Sequence, residues 1–151
     1  PERPSRVSVS APAAPPLVLD RKSFRWPVTG KVVTAYGKKD PAGETSKGTR
    51  LSSLPGAMVT TPLDGMVRFA GNFRNYGQIL IVQHADGYHS LIAGLGTINA
   101  SVGQRVTAGE PVGLMPAGAD ASPLYYELRR HGEPVNPKTF TGYRGQGRGQ
   151  G

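Results

Sequence analysis

The chain has 151 residues, 37% hydrophobic and 7% aromatic, enough for one domain with a modest core. Half of its formal charge of +8 lies in the flanks at residues 1–23 and 141–151, so the body is only mildly basic and nucleic acid is not an expected partner. No cysteine is present, which excludes a disulfide framework, a thiolate zinc site and a thiol nucleophile, and no apolar run reaches the ~18 residues of a membrane helix.

Glycine (21) and proline (14) punctuate nearly a quarter of the chain. Such spacing breaks helices and suits short strands joined by turns, so the expected class is all-β. Residues 1–22, PERPSRVSVSAPAAPPLVLDRK, are rich in Pro, Ala and Ser without a sustained period and read as an unstructured linker. The first residue is a proline and no charged-then-apolar leader follows, so a processed or excised piece with something upstream is expected.

The first strand is predicted over Lys31–Tyr36, and AMVTTPLDGMVRFAG gives two strands around Pro62–Gly65. Gln78–His84 and Tyr88–Ala93 flank Ala85-Asp-Gly87, whose Asp-Gly pair signals a hairpin. VGQRVTAGEPVGLM supplies two short strands about the turn Thr107–Glu110. No helix is expected. The closing GYRGQGRGQG is too poor in apolar groups to order itself and reads as a solvated tail from residue 142.

The last predicted strand, Leu124–Arg130 within SPLYYELRR, has the clearest two-residue period. It places Leu124, Tyr126 and Leu128 on one face and Pro123, Tyr125, Glu127 and Arg129 on the other. The first face belongs to a core. The second, a proline, a phenol and a charged pair, is suited to contact rather than to metal chemistry. His84, Asp86 and His89 lie within six residues and could meet across the hairpin as a metal site, but a structural His84 is the stronger expectation, and His131 reads as surface.

Taken in order, PLDGMVRFAG, NYGQILIVQHADGYHSLIAGL, SVGQRVTAGEPVGLM and PLYYELRRHGEPVNP resemble a LytM-type, lysostaphin-like domain of peptidase family M23, from about Phe24 to Phe140. VGQRVTAGEPVG alone also occurs in lipoyl-type domains, but no lysine lies between Lys47 and Lys138 for such a module to modify. The resemblance implies an antiparallel β-sheet domain over residues 23–141, with a groove.

Active members of that family hold one zinc ion through the His and Asp of H-x-G-x-D and the second His of H-x-H, with two further His in catalysis. The corresponding residues here are Ser46 and Arg50, Pro123 and Tyr125, and Gly94. An arginine ~4 Å from a divalent ion costs on the order of 8 kcal/mol at an effective dielectric near 20, so no zinc or other cofactor and no catalysis are expected.

The pattern also resembles the degenerate domains of EnvC-type murein hydrolase activators, whose closing strand is similarly aromatic. That likeness implies a periplasmic peptidoglycan amidase as partner, in a Gram-negative envelope, with the upstream region in contact with a membrane complex. The implied docking groove comprises Ser46, Arg50, Gly94, Tyr125, Glu127 and Arg129. Tyr76, common at its place in active members, reads as part of the fold. Passive peptidoglycan binding is the alternative, and a rearranged metallopeptidase a more distant one.

Overall fold

Alternation of apolar and polar side chains recurs along the chain, and each such run becomes a strand in the structure, a computed structural model that describes residues 15–118 and 122–140. The expected tail from residue 142 and most of the expected linker lie outside the described residues. Among those described there are eleven strands. They are β1 (Lys31–Thr34), β2 (Thr49–Ser52), β3 (Met58–Thr60), β4 (Gly65–Asn72), β5 (Gln78–Gln83) and β6 (Tyr88–Leu95), followed by β7 (Thr97–Ile98), β8 (Arg105–Val106), β9 (Pro111–Leu114), β10 (Leu124–Arg130) and β11 (Glu133–Val135). The fold is all-β, with two 3₁₀ turns at Arg21–Ser23 and Arg74–Tyr76 and a helical turn that begins at Lys138. No helix among the described residues is long and apolar enough to cross a membrane.

Every pairing is antiparallel. An eight-stranded sheet runs β1-β2-β10-β6-β5-β4-β8 with β11 beside β10, and a three-stranded sheet runs β3-β9-β7. β10 is central: β6 pairs along one edge, while β2 and β11 share the other. Its inward residues Leu124, Tyr126 and Leu128 are wholly buried, as the alternation requires. They join Val67, Leu80, Val82 and Ile92 of the large sheet and Val59 and Val112 of the small one in a single core. Phe24, Trp26 and Phe140 close it with tilted and edge-on aromatic contacts, Phe24 lying 5.4 Å from Trp26 and 5.8 Å from Phe140.

The local turn chemistry explains the connections. Asp86 and Gly87 both take positive φ (58° and 79°), the conformation of a tight hairpin turn, and join β5 to β6. The predicted turn Thr107–Glu110 forms, with Glu110 N–H donating to Thr107 O at 2.8 Å, but β8 and β9 do not pair with each other. The turn instead carries the chain from one sheet to the other.

The last residues of the expected linker lie against the domain. Leu19 packs against the core, and the Arg21 guanidinium lies 4.3 Å from the centre of the Phe140 ring and donates to Tyr88 Oη at 3.4 Å. An apolar side chain beside an open core edge is worth burying, which the Pro/Ala/Ser composition around it conceals. Removing residues 15–22 should therefore cost about 1–3 kcal/mol and lower the melting temperature by several degrees. An unchanged melting curve would show that this segment adds nothing.

Candidate functional site

The outward face of β10 forms the floor of a groove of about 530 Å³. Tyr125, Glu127 and Arg129 project into it, and cross-strand register brings Arg50 of β2 directly opposite Tyr125. Ile79 of β5 and Leu91 of β6 continue the floor as an apolar strip. One wall is the segment 40–47 that precedes β2. The other carries Phe73 and Tyr76 from the β4–β5 connection, stacked at 6.1 Å and 29° and exposed by 46% and 57%.

The polar groups on the floor form a short chain. Tyr125 Oη donates to Glu127 Oε1 at 2.8 Å, and Glu127 Oε2 lies 3.5 Å from Arg129 Nε. Burial, and then the acceptor carboxylate of Glu127, push the Tyr125 phenol far above its ordinary range, so it stays a neutral donor. The Arg50 guanidinium lies over the Tyr125 ring at 5.1 Å, with Nη1 3.9 Å from Asp40 Oδ2. Arg50 Nη1 and Arg129 Nε are both shut from water without a hydrogen-bond acceptor.

Five of the six groove residues expected from the sequence line this groove, and Gly94 does not. Gly94 is the extra residue of a bulge: Gln78 faces Leu95 and Ile79 faces Ala93, leaving Gly94 between them at φ +100°. A side chain there would be strained, so the glycine serves the backbone. Ser46 lines the groove but spends its hydroxyl locally, donating to Gly48 O at 2.8 Å and accepting from Gly48 N–H at 3.3 Å. Pro123 stands in a separate hollow of about 170 Å³ with Leu54 and Pro55.

Sequence reasoning did not single out Asp40, Phe73, Gly48, Ile79 or Leu91. Gly48 had a signal, the glycine of its Ser46–Arg50 segment: a Cβ there would lie 2.5 Å from Tyr126 O and 2.7 Å from the Tyr125 ring. Asp40 had none, since it lies ten positions from Arg50.

His84 serves the fold. His84 Nδ1–H donates to Asp64 O at 2.7 Å, so Nε2 must accept from Ser90 Oγ at 2.8 Å, and Ser90 Oγ in turn lies 3.0 Å from Tyr126 Oη. Burial lowers the His84 pKa to about 4, keeping the ring neutral. Both ring nitrogens are thereby engaged, and His89 points to the opposite face of β6, so the two do not converge with Asp86. His131 is exposed in a turn. Among the described residues no group of three or more His, Cys, Asp or Glu is placed to hold a metal ion.

Two antiparallel sheets, a groove over the closing strand and short crossovers between the sheets define the LytM-type, lysostaphin-like fold. The chain belongs to peptidase family M23, which it matches over residues 44–137. It is 32% identical over 138 residues to the murein hydrolase activator NlpD of Salmonella dublin, covering 90% of this chain and 34% of that protein. To the murein hydrolase activator EnvC of Escherichia coli (strain K12) it is 34% identical over 119 residues, covering 78% of this chain and 28% of that protein. The chain thus spans about a third of the length of the curated relatives it matches. The solution structure of lysostaphin shares the fold, with a TM-score of 0.71 at 21% identity over 83% of this chain and 55% of that one.

Proposed function

We propose that this domain is a non-catalytic regulatory module that binds a periplasmic cell-wall amidase of the N-acetylmuramoyl-L-alanine class and switches it on for peptidoglycan remodelling and cell separation. The observation that carries the reading is the groove floor, where Arg50, Tyr125, Glu127 and Arg129 are tied to one another and offer an aromatic anchor flanked by cations. Tyr and Arg are among the residue types that dominate protein interfaces. Two relatives named as murein hydrolase activators support it.

Zinc chemistry does not suit this donor set. Arg50 is a permanent cation, Tyr125 is a phenol held neutral, and the Ser46 hydroxyl is already bonded to Gly48. A catalytic zinc site takes three ligands from imidazole, carboxylate and thiolate groups and keeps one open position, and none of these three side chains is such a ligand. The purified chain is therefore expected to carry no stoichiometric zinc and to release no peptide fragments from cell walls. About one zinc per chain, lost on chelation together with such an activity, would overturn the proposal.

A second reading, passive binding of peptidoglycan, is favoured by one feature. The exposed stacked pair Phe73 and Tyr76 offers flat faces on which sugar rings could rest. Sedimentation with insoluble cell wall distinguishes the two: an anchor pellets with the wall whether or not it stimulates an amidase.

A further inference from the structure

The two groove arginines are not equally provided for. Arg129 has outlets for its charge, since its Nη2 donates to Gly132 O at 2.8 Å and its Nε lies 3.5 Å from Glu127. Arg50 has Asp40, and at 3.9 Å that pair lies beyond hydrogen-bond reach. The Asp40 carboxylate is committed to its own loop, where Oδ1 accepts from the backbone N–H groups of Ala42 and Glu44 at 2.9 Å each. Arg50 Nη1 is consequently shut from water without a hydrogen-bond acceptor, its charge met only by that long ion pair, while the side chain as a whole is 32% exposed to the groove. Such a group is costly to leave unpaired, and a guanidinium held over an aromatic ring is preorganised for a planar carboxylate.

The floor beyond Tyr125 is apolar at Ile79 and Leu91. A segment laid along the groove would meet a cation at one end and an apolar strip beside it. We infer that Arg50 is the receptor for a carboxylate on that segment, an Asp or Glu set next to apolar residues, and that Asp40 is a resident competitor which this carboxylate displaces. The inference rests on the activator reading above and specifies the chemistry of its partner.

The test titrates the 151-residue chain with a purified N-acetylmuramoyl-L-alanine amidase from the same cell, by calorimetry, at about 50 and about 300 mM salt. Arg50→Gln should weaken binding at least about tenfold and flatten its salt dependence. Asp40→Asn should tighten it by about two- to fivefold, because asparagine keeps the Oδ1 acceptor for Ala42 and Glu44 and loses only the competing charge. Thermal melts confirm that each variant is folded. Amidase binding that neither substitution alters, or that Asp40→Asn weakens, overturns the carboxylate at Arg50 and leaves the activator reading standing. No binding by the unaltered chain overturns that reading, and this inference with it.

Discussion

Tyr125→Ala and Arg50→Glu should each abolish activation of the amidase while leaving the domain folded. Both side chains stand outside the core face formed by Leu124, Tyr126 and Leu128, so neither change opens a cavity there. Tyr125→Ala removes the ring over which Arg50 lies and the hydroxyl that donates to Glu127. Glu127 keeps its ion pair with Arg129, which limits the damage to the fold. Arg50→Glu reverses the charge beside Asp40 and repels any acidic partner. Truncating a central Tyr or Arg of an interface costs roughly 2 kcal/mol or more, about thirtyfold in affinity. Lys138→Glu, an exposed change away from the groove, should do little and serves as the control. If both groove variants fold and activate fully, the contact surface lies elsewhere.

Acid should destabilise the domain through His84 well before carboxylate titration dominates. Burial lowers its folded pKa to about 4 against an unfolded value near 6.5, so between these limits the unfolded chain binds the extra proton. Stability from this group is complete above about pH 6.5 and is lost as pH falls towards 4, by about 3 kcal/mol in all. The cause is geometric. Protonation would give Nε2 a hydrogen, and Nε2 is the atom that accepts from Ser90 in the buried chain leading to Tyr126. Denaturant unfolding at about pH 7, 5.5 and 4.5 should show this slope. His84→Asn, whose amide can still donate to Asp64 O, should be less stable at neutral pH and flatter in acid. An unchanged slope in that variant would assign the acid sensitivity to another group.

Much of this architecture is legible in the sequence because its signals are local. The period of two in Leu124–Arg130 separates core face from groove face, and Asp86-Gly87 marks the hairpin through its backbone requirement alone. What stayed hidden depends on partners distant in the chain. The turn at Thr107–Glu110 is recognisable, but nothing in it says that its two strands enter different sheets. β11 is three residues long with a central proline, too short to show a period. Gly94 looked like an emptied site position and is a bulge, a distinction that requires the register of β5 against β6.

The site divides in the same way. Resemblance places Arg50 and Tyr125 together, and the register of β2 and β10 makes them direct neighbours. The proximity of Asp40, the spent hydroxyl of Ser46 and the Arg50 Nη1 that is shut from water without a hydrogen-bond acceptor come only from three-dimensional packing. They matter because a guanidinium donor without a hydrogen-bond acceptor is information about a partner, and composition carries none of it.

The activator account is tested most directly by dye release from labelled peptidoglycan with three samples: the chain alone, a purified N-acetylmuramoyl-L-alanine amidase alone, and both together. The account predicts no release by the chain, slow release by the amidase and at least several-fold faster release by the mixture, with chelation of the chain beforehand making no difference. Release by the chain alone that chelation abolishes, or a mixture no faster than the amidase alone, would contradict it.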